Sequence, residues 1–334
     1  MKRLAVVAGV LGALGIVATF ALWALPADEF IFTPDSAKPL ADRVKVEDAR
    51  PAGQGDVYYV DVFVRRTSLL EDLLPFTRPE GATVVPEQAL LPPGTSEEER
   101  DRQTAAEMAR SEQIASVVAL RALGYDVVAT PQGALVLVVA SDVPAAAKIE
   151  PGDVIVAVDG MAVRTPAELR TEIGQREPGQ DVRLTIRRSG KPMDLTVTTV
   201  PSPVDPSMPI IGVQVDQEAK IELPFVVDID LGRVGGPSAG LPFALEIARM
   251  LGRDVTHGCK VAATGELALD GTVLTVGGLK QKTIGARRTG VDLFLVPVGE
   301  NAEVAQEHAD GVRVIPVESF QQALQTLTTS SLKC

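Results

Sequence analysis

Ser238 stands in the run Gly235-Gly236-Pro237-Ser238-Ala239-Gly240, between a β-branched stretch at 225–230 and an apolar stretch at 241–251. Two glycines let the backbone turn sharply and come close to a bound chain. A serine at such a strand-to-helix turn lies where unpaired N–H groups and the helix dipole favour an oxyanion. The same residues also describe a plain tight turn with Ser238 as a helix cap. A serine hydroxyl needs a base before it attacks a carbonyl. The two histidines, His257 and His308, have no evident partner, so lysine is the base to consider. Gly277-Gly278-Leu279-Lys280-Gln281-Lys282 supplies one. Lys282 is followed by Thr283, Ile284, Gly285 and Ala286, a setting short of competing charge. Burial there can bring an ammonium from about pKa 10.4 toward neutrality. Lys280, out of register with Lys282, reads as a surface lysine. Thr264-Gly265-Glu266 lies between the two motifs, and its hydroxyl can orient the lysine amine or simply end a strand.

These residues need a scaffold. The run 57–64, VYYVDVFV, is β-branched and aromatic and predicts a strand. Ser96 with Glu99 forms a capping box, and Ile114, Val117, Val118 and Ala122 fall at helical spacing, so a helix runs from 96 to about 123, long enough to break inside. Strands are expected at 225–230, 260–263 and 293–298, and helices at 241–251, 280–289, 301–308 and 319–327. Strands alternating with helices indicate an α/β or α+β domain. Between them, 133–200 changes to short strands and turns, with Asp159-Gly160 as a turn dipeptide and a short helix opening at Thr165-Pro166. Four prolines in 201–209 read as a linker.

The order GGPSAG, TGE and VGGLKQK, followed by an Ala-Arg helix and a FLVP strand, resembles the proteolytic domain of the Lon family (peptidase family S16) over roughly 210–325. The resemblance implies a Ser–Lys dyad at Ser238 and Lys282, with Thr264 near the lysine and Gly236 and Pro237 supporting the serine. Many Lon domains carry an acidic residue three before the serine; this chain has Gly235. Residues 145–155, AAAKIEPGDVI, with Asp159-Gly160, are similar to bacterial PDZ domains, which take an extended peptide as an added strand beside a helix. That resemblance implies a carboxylate-binding loop at Gly133, Ala134, Leu135 and Val136, with Leu169 and Ile173 lining the groove. Together the segments resemble the membrane-bound PDZ–Lon (YlbL-like) proteins of bacteria. Lon-type domains commonly form rings, so a homo-oligomer, a hexamer, is implied by resemblance.

Composition narrows the partners. The 334 residues carry a formal charge of −12, which argues against nucleic acid and against an anionic membrane surface for the body of the protein. No GxxxxGK[ST] pattern occurs, so no P-loop motor is expected. Cys259 and Cys334 with two histidines do not make a ligand cluster at zinc spacing, and no metal or cofactor is expected. Residues 4–25 carry no charge and are long enough to cross about 30 Å of hydrocarbon. Lys2 and Arg3 precede them and Asp28 and Glu29 follow, which keeps the N-terminus cytoplasmic. A cleaved signal peptide is the alternative.

The expected organisation is a transmembrane anchor at 1–26, a first part of a Lon-type domain at 45–125, an inserted PDZ domain at 126–204, and the remaining Lon-type part with the dyad at 205–330. A separate N-terminal domain is the alternative to the insertion. The fold class is α+β, with an α/β-like protease domain, a mainly β PDZ domain and one N-terminal membrane helix. The expected function is an ATP-independent, membrane-anchored serine endopeptidase facing away from the cytoplasm. It cleaves unfolded or flexible substrates, recruited partly through C-terminal peptides bound by the PDZ domain. The alternative is a non-catalytic PDZ scaffold on a degenerate protease fold.

Overall fold

The computed structural model describes residues 2–91, 96–232, 234–329 and 334, with side chains from residue 10 onward. The chain divides into two compact units, one made of Met1–Tyr125 with Phe225–Cys334, the other of Asp126–Pro224.

The first unit is built on a five-stranded sheet in the order Lys38–Pro39, Asp56–Tyr59, Lys260–Ala263, Leu293–Pro297, Arg313–Val317. The last four pair in parallel. Their apolar character follows from burial on both faces; every residue of Leu293–Pro297 is buried. One face packs against the Glu97–Ala122 and Gly240–Met250 helices through Met108, Ile114, Ala115, Phe243 and Leu245, among others. The other packs Tyr58, Ala262 and Phe294 against Leu279, Ala286, Ala302 and Ala305. The 97–122 helix starts on the expected capping box, with Ser96 accepting from the Glu99 N–H and Glu99 accepting from the Ser96 N–H, and it runs unbroken for 26 residues.

The run expected as one strand at 57–64 is two. Asp56–Tyr59 belongs to the five-stranded sheet, and Val62–Ser68 pairs with Pro26–Pro34 in a separate sheet completed by Thr83–Pro86. Val60 and Asp61 make the crossing. A single β-branched run cannot report this, because both halves satisfy the same strand pattern.

Lys2–Ala24 is helical, and Val10, Leu11, Leu14, Ile16, Val17, Phe20 and Trp23 are exposed on it. Among the described residues no helix is long and apolar enough to cross a membrane. The span expected over 4–25 rests partly on the side chains of 4–9, which lie outside those described.

Gly285 sits inside the Leu279–Thr289 helix, where glycine is ordinarily unfavourable. A Cβ there would run into the Asp35 carbonyl oxygen, so the glycine lets the 35–39 segment lie against the helix. Gly285→Ala is expected to destabilise the first unit by about 1–3 kcal/mol, as overpacking does. A thermal melt that shifts upward instead would contradict this packing.

The second unit is an antiparallel sheet in the order Lys191–Thr198, Asp181–Arg188, Val154–Val158, Val128–Val139, Val213–Glu222. The Pro166–Gly174 helix is capped by Thr165, which accepts from the Glu168 N–H. Ala134, Val136, Ile155, Leu169, Ile173, Leu184 and Ile186 form its core. The second unit ends at Pro224, twenty residues beyond the expected limit of 204. The reason is Val213–Glu222, which pairs with Val139–Val128 along its whole length and so completes this sheet.

Candidate active site

Ser238 lies in a single 3-10 turn, Pro237–Ala239, that feeds the Gly240–Met250 helix. Gly236 precedes it at φ +88°, a conformation side chains resist, so the sharp turn into Pro237 depends on glycine here. The 97–122 helix holds the turn from outside. The Gly236 N–H donates to the Thr104 carbonyl at 2.8 Å, and Ser111 Oγ donates to the Pro237 carbonyl at 3.0 Å. From the other side, the Gly265 N–H at 2.9 Å and Thr264 Oγ1 at 3.2 Å both donate to the Ser238 carbonyl. Ser238 itself is half-buried.

Lys282 lies in the first turn of the Leu279–Thr289 helix, its N–H bonded to the Gly278 carbonyl at 2.9 Å. Its Nζ donates to Thr264 Oγ1 at 3.2 Å. The threonine hydroxyl therefore links the two motifs: its proton goes to the Ser238 carbonyl and its oxygen takes the lysine amine. Lys282 is 4% exposed. Burial lowers its pKa from 10.5 to about 7, against an opposing pull from the Asp61 carboxylate. At neutral pH a large fraction of the amine is therefore free to accept a proton. Lys280, in the same sequence motif, is only half-buried.

Ser238 and Lys282 line one cleft of about 900 Å³, with Pro237 and Glu266. Its walls carry Phe32, Val62, Phe63, Leu90 and Met108. An apolar cleft with a few convergent polar groups suits an extended polypeptide. Thr104, Ser111 and Asp61 escaped the sequence reading. The first two look like ordinary helix residues; Asp61, a carboxylate inside a β-branched run, was the one visible irregularity.

The second unit places its expected residues differently. Gly133, Ala134 and Leu135 lie in mid-sheet. Gln217 pairs with Ala134 and Asp216 with Leu135 on one side, while Ile155 and Val154 pair with the same two residues on the other. No backbone edge remains there for an added strand, so this stretch is not the peptide-binding loop expected from the sequence. Leu169 and Ile173, each 4% exposed, are packed into the core. The outer strands of the sheet are Lys191–Thr198 and Val213–Glu222, and the Pro166–Gly174 helix approaches the latter. Gly212, at φ +72°, turns the chain into that strand.

Two protein families match parts of the chain. Residues 229–330 match the Lon protease (S16) C-terminal proteolytic domain. Residues 121–199 match the PDZ domain family. The chain is 41% identical over 91 residues to the Lon protease of Mesomycoplasma hyopneumoniae, covering 26% of this chain and 10% of the relative. It is 38% identical over 104 residues to a mitochondrial Lon protease homolog of Debaryomyces hansenii, covering 30% and 10%. The chain thus spans about a tenth of the length of these relatives. Among solved structures, the PDZ domain of an SdrC-like protein from Listeria monocytogenes aligns at 26% identity and TM-score 0.24, covering 25% of this chain and 87% of that one.

Proposed function

We propose that this protein is a serine endopeptidase in which Ser238 is the nucleophile and Lys282 the general base. The observation that carries the reading is that Thr264 Oγ1 ties the Lys282 amine to the Ser238 backbone carbonyl in the same cleft, with a buried amine whose pKa falls to about 7. Lys282 takes the Ser238 hydroxyl proton as the oxygen attacks the scissile carbonyl, and later returns it to the leaving amine. Water, activated by the same amine, then releases the acyl group. With no P-loop motor in the chain, its substrates are unfolded or flexible polypeptides.

The second unit recruits substrate by taking a peptide as an added strand beside the Pro166–Gly174 helix, which approaches the outer strand Val213–Glu222. The Lys2–Ala24 helix anchors the protein, with its exposed apolar side chains, Trp23 included, in lipid. The remainder faces an oxidising compartment, which the Cys259–Cys334 disulfide favours.

A serine-directed covalent reagent tests the central claim. It is expected to label Ser238 and to stop cleavage of an unfolded protein, and Ser238→Ala neither labels nor cleaves. A folded protein that takes up no label and cleaves nothing would leave a peptide-binding scaffold as the better reading. Removing residues 2–24 is expected to release the protein from membrane vesicles; continued association without them would overturn the anchor.

A further inference from the structure

Asp61 occupies the link between Asp56–Tyr59 and Val62–Ser68, where the chain leaves one sheet for another. Tyr59 pairs with Ala263 across parallel strands, so Asp61 lies just beyond the strand ends that also carry Thr264. Its Oδ2 accepts from Lys38 Nζ at 3.1 Å, and the same ammonium holds Asp35 Oδ2 at 2.8 Å. Its Oδ1 is buried with no hydrogen-bond partner among the described residues. Asp35, Lys38 and Asp61 line the same cleft as Ser238 and Lys282. A buried acceptor without a donor is costly, and so is a buried ammonium without a counter-charge. The first is present at rest; the second forms when Lys282 becomes protonated. Each would relieve the other.

We propose that Asp61 is a positioning residue for Lys282: its free oxygen receives the ammonium that Lys282 becomes on taking the Ser238 proton, while Lys38 holds the other oxygen and tempers its charge. The inference rests on the reading of Ser238 and Lys282 given above. In the acylation step the Ser238 O–H bond breaks and an Oγ–C bond forms to the substrate carbonyl. The proton and the positive charge stay on Lys282 Nζ until the leaving amine takes the proton. Burial and the neighbouring Asp35 raise the Asp61 pKa against the pull of Lys38, and the step uses Asp61 in its carboxylate form.

The titratable groups facing this part of the cleft are Asp35, Lys38, Tyr59, Asp61, Glu266 and Lys282. Burial raises the pKa of Tyr59, which keeps its phenol neutral. Asp35 shares Lys38 with Asp61, and Glu266 lies on the far side of Thr264 in sequence, unchanged in the variants below. Asp61 pulls the Lys282 pKa upward against burial.

The test measures peptide cleavage against pH for the full chain and for Asp61→Asn, Lys38→Met and Lys282→Met. In Asp61→Asn, kcat is expected to fall about tenfold or more with KM little changed, as the loss of one transition-state electrostatic partner does. The acid limb of its profile moves to lower pH by about one unit, because the carboxylate no longer favours the ammonium. In Lys38→Met the limb moves the other way, because Asp61 is left unneutralised. Opposite shifts support the proposal. A purely structural role lowers the rate at every pH and leaves both limbs in place, and that result overturns it, as do shifts in one direction. If Asp61→Asn does not fold, Lys38→Met decides by its own shift. An inactive Lys282→Met together with unmoved limbs in Asp61→Asn and Lys38→Met defeats this inference alone; an active Lys282→Met defeats the assignment of the base and this inference with it.

Discussion

Lys282→Met is expected to remove peptide cleavage while the protein stays folded, and Lys280→Met to leave most of the cleavage intact. Lys282 is buried, and a methionine of similar length fills its place without a charge to bury. Loss of the base is expected to lower kcat by a factor of about 100 to 10,000, the usual span for general-base catalysis. Cleavage by the unaltered protein rises with pH through about 7, where the buried ammonium gives up its proton. The stability effect has a defined sign. Between about pH 7 and 10.5 the unfolded chain keeps a proton on Lys282 that the folded chain has released. Stability therefore rises with pH across that window, and Lys282→Met lacks that contribution. A cleavage profile flat from pH 5 to 9, within the order-of-magnitude span over which a lysine base must titrate, or a dead Lys280→Met beside an active Lys282→Met, refutes the assignment.

A fragment limited to 225–334 is expected not to fold, although it holds Ser238, Thr264 and Lys282. Its central strand, Lys260–Ala263, pairs on one side with Asp56–Tyr59, which the fragment lacks. The Gly240–Met250 helix loses its cover from Met108, Ile114, Ala115, Val118 and Ala119 on the missing 97–122 helix. The Ser238 turn loses the Thr104 and Ser111 bonds that hold it. An open sheet edge and an uncovered apolar helix face favour aggregation over a cooperative core. Near-ultraviolet dichroism and a melting curve check this. A soluble fragment that melts cooperatively and cleaves peptides would show that 1–125 is dispensable to the fold.

The residues that could do chemistry were legible because their motifs are local: GGPSAG, TGE and GGLKQK each mark a turn, and the structure brings Ser238, Thr264 and Lys282 together. The capping box at Ser96 was legible for the same reason. What escaped depends on distant pairing. Thr104 and Ser111 support a turn more than a hundred residues away, and nothing in their own helix announces it. The apolar run 134–140 suits a central strand and a ligand-binding edge strand alike. Only the partner at 213–222 decides between them, and it lies beyond a proline-rich stretch that reads as a linker. The division of 57–64 between two sheets is likewise a matter of which strands lie alongside.

The first unit is interrupted between Tyr125 and Phe225, and the two rings meet edge to face at 5.2 Å. Inside the interruption, Val128 and Glu222 are paired across neighbouring strands, so the inserted segment begins and ends at hydrogen-bonding distance. Ninety-nine residues, 126–224, thus span a gap that a short turn could bridge. For an unfolded insert, bringing Tyr125 and Phe225 together means closing a loop of that whole length. Once the insert has folded, the remaining loop is a few residues, which lowers the closure cost by roughly 3 kcal/mol. A folded insert thus acts as a clasp between the two halves of the chain that flank it.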